Sequence, residues 1–275
     1  NFMLYLICTP IGNLNDFSIR SIATLKEVDN IFVEDTRVSA KLLKYFDIKK
    51  NTLPFHEHNE KGTADKIIDL IKNGETVAVL SDAGAPLISD PGYPLVQRCI
   101  KNGIQFTVIP GPSSVINSLL LSGLPTDKFL YHGFLPKKNM AKKETISKIK
   151  NSNVTNIFFE SAKRLESTIE IFSEVLSPKT SIAICREMTK KHETIYRGTS
   201  IEILNLFKEN KIKLLGEFVL LLNENSSFGK DMRLDENFCR PFLDYLSPAD
   251  ASKLIARITR FSKNEVYKLL LEISK

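Results

Sequence analysis

The sequence predicts an α/β protein of two layered domains with a small helical appendage, and three patterns support this prediction. Short runs of strand-forming residues alternate with helical patterns over most of the chain, which is typical of a largely parallel sheet. Runs such as "VAVL" are apolar at every position, as expected for strands that helices cover on both faces. From residue 247 onward the alternation stops, and two helix-start signals follow each other.

The first α/β domain is predicted over residues 1–124. Its strands are expected at the runs "LYLICTP", "NIFVED", "TLPFH", "TVAVL" and "FTVIP". Helical patterns follow these runs near residues 18–28, 39–46, 63–71, 94–100 and 113–121. The stretch "GLPTDK" then interrupts both periodicities, and Gly and Pro are the strongest local breakers of regular structure. The domain junction is therefore expected at residues 124–128.

The second α/β domain is predicted over residues 125–225, and the helical appendage over residues 226–275. Strands of the second domain are expected at "FLYHGFLP", "NIFFES", "SIAICRE" and "EFVLLLNE", with helices after Met140 and near residues 162–175. In the appendage, Ser247 and Ser262 each precede a helical pattern and have an acidic residue three positions on. This spacing predicts two capped helices joined by a tight turn.

Length and composition limit which classes of protein this chain can belong to. A chain of 275 residues that is 43% hydrophobic can form two domains with full cores. No apolar run reaches the roughly 18 to 20 residues of a membrane span, and no signal-peptide pattern is visible, so a cytoplasmic location is expected. The cysteines are widely spaced without metal-ligand spacing, so reduced and mostly buried thiols are expected at Cys8, Cys99, Cys185 and Cys239.

Positive charge is concentrated in two segments. The net charge is +6, which favours an anionic partner. Residues 137–150 hold six lysines and one glutamate, and residues 247–275 hold six basic residues and three acidic ones. Each segment is a candidate contact surface for such a partner, with a solvated lysine face as the alternative.

Five polar loops follow the five strands of the first domain. They read "TPIGN", "EDTR", "HEHNE", "SDAGAPLISDPG" and "PGPSS". In open α/β sheets, ligands bind beyond the carboxyl ends of the strands. One such loop alone is explained as a turn, but five in register would crowd charged side chains at one rim without structural need. Gly84, Gly92 and Gly111 allow close backbone approach, so the loops are expected to cradle a polar small molecule.

Other ligand classes are disfavoured by missing motifs. The sequence has no GxG for a dinucleotide, no GxxxxGK[ST] for a nucleoside triphosphate, and no HExxH, CxxC or GxSxG. His56 and His58 are two residues apart, so on a strand they point to opposite faces, and no third ligand is evident. No metal is expected.

The motifs together carry a family likeness. The five loops, "FFES" followed by Arg164, and "REMTK" at residues 186–190 resemble the bacterial small-subunit rRNA ribose 2′-O-methyltransferases built on the tetrapyrrole-methylase fold. The likeness spans nearly the whole chain, including the appendage. It implies S-adenosylmethionine bound in a folded form in a cleft between two α/β domains, and a homodimer. It also implies, as methyl acceptor, the ribose 2′-hydroxyl of a decoding-region cytidine in 16S rRNA.

The resemblance also implies which residues contact the cofactor. Carried over position by position, these are Pro10, Ile11, Gly84, Ala85, Pro86, Ile88, Ser89, Asp90, Ser113, Ser114, Phe159, Met188, Gly216 and Glu217. Two positions depart from the family pattern. Ala85 stands where Thr is frequent, which removes a hydroxyl from the donor site. Leu215 stands where a basic residue is common, which removes a charge near the RNA.

The proton of the acceptor hydroxyl needs a base. A ribose 2′-hydroxyl is a poor nucleophile, and a general base contributes about 10² to 10⁴ in rate. Side chains expected at strand ends provide the candidates Asp35, His56, Glu57, His58, Glu160 and Glu187. The pair Asp35 and Arg37 is preferred, with Arg37 holding a phosphate and Asp35 taking or orienting the proton. An ion pair that only stiffens the loop is the equal alternative.

RNA contact is expected from the two basic segments, because Lys and Arg neutralise phosphates without reading sequence. The residues are Lys137, Lys138, Lys142, Lys143, Lys253, Arg257, Arg260 and Lys263. No membrane or DNA partner is expected. Two other functions remain open: a methyltransferase of the same fold acting on a tetrapyrrole or a protein side chain, and a non-catalytic rRNA-binding assembly factor.

Overall fold

The computed structural model describes residues 3–150, 152–224, 234–259 and 261–274. The chain divides into two compact units, residues 1–228 and residues 229–275. The first unit contains two five-stranded sheets, and the second is helical. The further division of the first unit into domains at residue 124 stays a prediction.

The first sheet is parallel throughout, as the sequence predicts. Its strands lie in the order β3-β2-β4-β1-β5 and comprise β1 (Leu4–Ile7), β2 (Asn30–Val33), β3 (Thr52–Pro54), β4 (Val77–Leu80) and β5 (Phe106–Ile109). The intervening helices are α1 (Ile19–Glu27), α2 (Thr36–Tyr45), α3 (Glu60–Lys72) and α4 (Tyr93–Lys101). Two separate apolar clusters cover the sheet, one with α3 and α4 and the other with α1 and α2. All five strand ends therefore meet at one edge.

The second sheet is mixed. It has the order β6-β7-β10-β8-β9, in which only β6 and β7 pair in parallel. Its strands are β6 (Phe129–Phe134), β7 (Thr155–Ser161), β8 (Ser181–Arg186), β9 (Thr194–Thr199) and β10 (Glu217–Asn223). The helices of this part are α5 (Ser114–Ser122), α6 (Asn139–Ile149), α7 (Leu165–Val175) and α8 (Ser200–Lys208). Strand β9 and helix α8 were not predicted, although the capping box of Thr199 and Glu202 marks the start of α8.

Helix α5 connects the two sheets. It follows β5 of the first sheet, yet Val115 and Leu119 belong to an apolar cluster formed mainly by the second sheet. Arg197 on β9 donates hydrogen bonds to the carbonyl groups of Leu121 and Ser122, which lie in the last turn of α5. These bonds satisfy carbonyl groups that a helix end leaves without intrahelical partners.

The second unit holds three helices among its described residues: α9 (Glu236–Leu243), α10 (Pro248–Ile258) and α11 (Lys263–Ile273). Ser247 and Ser262 cap α10 and α11 as predicted, and Ser262 forms a full capping box with Glu265. Helix α9 was not predicted, since Pro241 interrupts its pattern. Cys239 of α9 nevertheless lies in the same buried cluster as Ile255 and Val266.

The four cysteines are free and buried, which confirms the prediction of reduced, buried thiols. Among the helices described, none has the length and apolar character to cross a membrane.

Candidate active site

A cavity of about 490 Å³ lies where the strand-end loops of the first sheet face the second sheet. This volume is in the range of small-molecule sites. Loops after β1, β2, β4 and β5 contribute one side, and β6, β7, the loop after β8 and the start of β10 contribute the other. The lining residues are Ile11, Glu34, Asp82, Ala83, Ala85, Ile88, Ser89, Asp90, Ser113, Ser114, Val115, Phe134, Phe159, Glu160, Ser161, Ala162, Met188, Gly216, Glu217, Phe218 and Val219.

The structure brings most of the expected cofactor residues into this lining. Three expected residues, Pro10, Gly84 and Pro86, are absent from it. Gly84 instead holds the loops together, because its N–H and carbonyl exchange hydrogen bonds of 3.1 and 2.8 Å with Thr9. At Gly84 φ is +83°, and a Cβ atom would come within 3.3 Å of Ile11. Ala85 lines the cavity with a methyl group.

Three carboxyl groups form one wall of the cavity: those of Glu34, Asp82 and Asp90. Burial and the charges of Glu34 and Asp82 raise the pKa of Asp90 to about 7. Burial and neighbouring carboxylates also raise the pKa of Glu34 and of Asp82. Glu34 was missed as a site residue, although it directly follows the buried strand β2, the position where the strand-end rule predicts ligand contacts.

Asp35 and Arg37 lie beside this wall and outside the cavity lining. The guanidinium of Arg37 donates to both carboxylate oxygens of Asp35, at 3.1 and 2.7 Å, and the backbone N–H of Arg37 donates to Asp35 as an N-cap of α2. These bonds hold the pKa of Asp35 at about 2. This is the ion pair expected if Asp35 and Arg37 only stiffen the loop. A catalytic role of the pair stays a prediction.

Glu160 corrects one expectation. Its side chain is fully buried, and its carboxylate accepts hydrogen bonds from Thr168 and from the N–H of Ser161, both at 2.8 Å. Arg164 lies 2.5 Å from one carboxylate oxygen, and Lys142 lies 3.7 Å from the other. Because Thr168, Ser161, Arg164 and Lys142 engage both oxygens, this carboxylate anchors the cavity wall and is not free to accept a proton.

Lys142 corrects a second expectation. It was expected to bind RNA, but its side chain is 1% exposed and its ammonium donates to Thr168 at 2.7 Å. The burial of Lys142 is indicated by its spacing from apolar residues in the sequence. Lys142, Ile146 and Ile149 are spaced at i, i+4 and i+7, and all three are buried on one face of α6.

Glu187 also has structural partners. Its carboxylate accepts hydrogen bonds from the backbone N–H of Glu217 at 2.9 Å and from Lys190 at 3.0 Å. It does not line the cavity, and its contacts fix the segment at Gly216 and Glu217 that does. A catalytic role for Glu187 stays a prediction, while a positioning role follows from these bonds.

The structure describes all but one of the other residues that were expected to bind RNA. Lys137, Lys138 and Lys143 are exposed at the start of α6, and Lys253, Arg257 and Lys263 are exposed on the second unit. Arg260 lies outside the described residues. Leu215, the second departure from the family pattern, is 73% exposed next to the cavity residue Gly216.

Comparison with protein families identifies the fold. The family model described as Tetrapyrrole (Corrin/Porphyrin) Methylases matches residues 3–204. The chain belongs to the tetrapyrrole methylase family. Two solved structures agree: uroporphyrin-III-C-methyltransferase from Thermus thermophilus (TM-score 0.57, 19% identity, 80% of this chain and 94% of that one) and diphthine synthase (0.62, 13%, 83% and 92%). At these identities the likeness shows the fold of this methylase and no more.

Curated relatives are more similar to this methylase in sequence. A Vibrio cholerae protein named ribosomal RNA small subunit methyltransferase I is 39% identical over 98% of this chain and 94% of its own length. Its namesake from Thermotoga maritima is 43% identical over 80% of this chain and 97% of its own length. The family resemblance drawn from the motifs is confirmed.

The cofactor of this methylase is S-adenosylmethionine, which supplies a methyl group on a positively charged sulfur. The cavity fits such a molecule in size and lining. Phe134 and Phe159 provide apolar surface, while the carboxyl groups of the acidic wall offset positive charge. Gly216, with φ at +97°, keeps the rim open where a side chain would collide with Glu187.

Proposed function

We propose that this protein transfers the methyl group of S-adenosylmethionine to the ribose 2′-hydroxyl of a decoding-region cytidine in 16S rRNA. The observation that carries the proposal is the cavity: strand-end loops of both sheets converge on a pocket with carboxyl groups along one wall. The names of the curated relatives support RNA of the small ribosomal subunit as the acceptor. The cytoplasm is the corresponding location.

Positive charge on the described surface supports an RNA acceptor. Exposed lysines at the start of α6 follow directly on β6, whose Phe134 lines the cavity. A second exposed basic group, Lys253, Arg257 and Lys263, lies on the helical unit. Lys253 is paired with Asp250 at 3.1 Å, and an exposed pair of this kind is weak enough to give way to a phosphate. A small tetrapyrrole would need neither group.

The helical unit yields a salt-dependence prediction. Replacing Lys253, Arg257 and Lys263 together by Gln is expected to weaken small-subunit binding and to flatten its salt dependence, with the slope of log K against log salt falling by about 0.7 to 0.9 per lost phosphate contact. Filter binding at several salt concentrations measures this slope. Affinity for S-adenosylmethionine, measured by calorimetry, is the control and should stay unchanged. An unaltered slope in the triple variant would remove these residues from the RNA contact.

Methyl transfer itself is tested with labelled cofactor. The purified protein is incubated with small subunits that lack the modification and with S-adenosylmethionine carrying a labelled methyl group. Nuclease digestion and mass spectrometry should then find a 2′-O-methylcytidine in the decoding region. Label on a base, or at another position of the RNA, would contradict the proposed acceptor.

The same incubation separates the competing functions. Binding of S-adenosylmethionine without transfer to RNA would favour a tetrapyrrole or a protein side chain as acceptor. Absence of cofactor binding in calorimetry would favour a non-catalytic assembly factor.

A homodimer is part of the proposal. On the edge strand β6, Phe129 is 41% exposed and Leu130 is 50% exposed, and Leu120 on α5 is 71% exposed. Apolar side chains at this level of exposure are suited to contact with a second copy. Sedimentation equilibrium tests the stoichiometry, and a monomer at micromolar concentration would contradict it.

A further inference from the structure

Strand β6 contains a bulge that points one aromatic ring toward the cavity. Tyr131 pairs with Ile157 and Phe134 pairs with Phe159, so β6 takes three residue steps where β7 takes two. Residues three apart on a regular strand point to opposite faces, and the extra residue returns Phe134 to the face of Tyr131. Gly133 lies inside the bulge with φ at +70°, a conformation that glycine adopts without steric cost. The local backbone therefore sets the direction of the Phe134 ring.

The ring of Phe134 lies at the mouth of the cavity. Its centroid is 5.4 Å from that of Phe159, and the ring of Tyr131 packs against Phe159 at 5.1 Å. Both contacts are edge-to-face, the arrangement that aromatic pairs prefer. Phe134 is nevertheless 61% exposed, whereas Ile11 and Met188 of the same lining are 7% exposed. The ring is thus held by aromatic neighbours while most of its surface stays open to an incoming molecule.

Basic residues follow this ring directly. Lys137 and Lys138 are exposed three and four residues further on, so their Cα atoms lie within about 11 and 14 Å of the Cα of Phe134. Proteins bind unpaired nucleotides with this combination, in which basic side chains contact the phosphates and bases stack on aromatic rings. The mouth of the cavity therefore has the chemistry of a nucleotide site.

We propose that Phe134 is the platform on which the base of the acceptor nucleotide stacks, so that the attached ribose lies at the cavity mouth beside the methyl donor. This inference rests on the proposed function and deepens it. Every base has a flat face, so stacking positions the nucleotide without selecting cytosine. The competing occupants of this ring are the adenine of the cofactor and a second copy of the chain, and the tests distinguish them.

The first test is single-turnover methyl transfer at saturating S-adenosylmethionine and small subunits. Phe134→Ala should lower this rate about tenfold or more, since that is the usual effect of removing the partner of a stacked base. Calorimetric affinity for S-adenosylmethionine should change far less, and the melting temperature should change little because the ring is mostly exposed. A loss confined to cofactor affinity, with the saturated rate intact, would assign the ring to the adenine and overturn the inference.

Two further substitutions separate stacking from apolar contact. Phe134→Tyr keeps the aromatic ring and should restore the rate, while Phe134→Leu keeps only apolar bulk and should remain as slow as Phe134→Ala. A Phe134→Leu variant as fast as the wild type would overturn the inference. Sedimentation equilibrium of Phe134→Ala should give the mass of the wild type. A lower mass would place the ring in a subunit interface and would also overturn it.

Direct contact is measured by fluorescence, because the chain contains no tryptophan. Phe134→Trp introduces a single reporter, and a base stacked on its indole should quench the emission. Unmodified small subunits are added together with S-adenosylhomocysteine, which has no methyl group to transfer. Wild-type protein in the same mixture gives the blank for tryptophan of the ribosome itself. Unchanged emission of Phe134→Trp in the bound complex would contradict the proposed contact.

Tyr45 provides the matched control for this measurement. It is 59% exposed at the last residue of α2, about 14 Å along the helix from the end that begins beside the cavity. The emission of Tyr45→Trp should not change when small subunits bind. Equal quenching in Tyr45→Trp and Phe134→Trp would mean that the signal does not report stacking at the cavity, and the inference would fall.

Failure of the proposed function and failure of this inference give different results. If the wild type transfers no methyl group to small subunits, the proposed function fails. If the wild type is active and Phe134→Ala keeps its saturated rate, only the inference about Phe134 fails.

Discussion

Replacing Lys142 by Met is expected to lower the free energy of unfolding by about 3 kcal/mol, because removing one partner of a buried ion pair leaves the other charge uncompensated. Lys142 is 1% exposed, and its partner Glu160 is fully buried. Met has nearly the length of Lys, so the apolar stem is replaced and the charge is lost. Arg164 still pairs with Glu160, which keeps the loss at the lower end of the range for such pairs. Denaturant unfolding measures the change.

The neighbouring residue Lys143 is the matched control. It is 48% exposed and pairs with Glu174, and exposed pairs contribute about 0 to 1 kcal/mol. Lys143→Met should therefore leave stability nearly unchanged and weaken RNA binding. Lys142→Met should lower stability and, under conditions where the variant is folded, leave RNA binding unchanged. Equal losses of stability in the two variants would contradict a buried structural role for Lys142.

The first sheet was predictable because its central strands β1, β2 and β4 are short and largely apolar on both faces, and helical patterns separate all five strands. Those features reflect burial, which sequence records directly. Helix α9 was missed because its eight residues include Pro241, although Asp235 caps it; packing of Cys239 and Phe242 with α10 and α11 adds to its stability. Tertiary contacts of this kind leave no local pattern. Strand β9 was missed for a related reason, since its residues are only partly buried at an edge.

The loops of the site were predictable, but the direction of each side chain was not. Glu34 and Asp35 both follow strand β2, so the rule that ligands bind beyond strand ends makes them equally good candidates for the site. In the structure, Glu34 lines the cavity while Asp35 turns to cap α2. Beyond the end of a strand the alternation of faces no longer holds, so adjacent residues cannot be assigned from spacing. Lys142 differs, because helical spacing from Ile146 and Ile149 predicts its burial.

Replacing Gly216 by Ala is expected to weaken S-adenosylmethionine binding at least tenfold, or about 1.4 kcal/mol. The new Cβ atom would lie 2.5 Å from both Cδ and Oε1 of Glu187, so that carboxylate has to move. It would then lose its hydrogen bonds to the N–H of Glu217 and to Lys190, which fix the rim of the cavity. Calorimetric titration with the cofactor measures the loss.

Gly74 separates this collision from backbone strain. Its φ of +90° is close to the +97° of Gly216, but no atom lies within 4 Å of a Cβ built there. Both Ala variants suffer the same unfavourable conformation, about 1 kcal/mol or more, and only Gly216→Ala disturbs Glu187. Gly74→Ala should lower the melting temperature and leave cofactor affinity unchanged.

The double variant Glu187→Ala with Gly216→Ala isolates the cause. If the collision with Glu187 explains the loss of affinity, Gly216→Ala should cost far less in the Glu187→Ala background than in the wild type, since neighbouring sites that share one contact are not additive. Additive losses would instead mean that Gly216 acts on the cofactor directly, through a backbone approach that any Cβ blocks. In either case Glu187→Ala alone reports how much of the affinity depends on the bond to the N–H of Glu217.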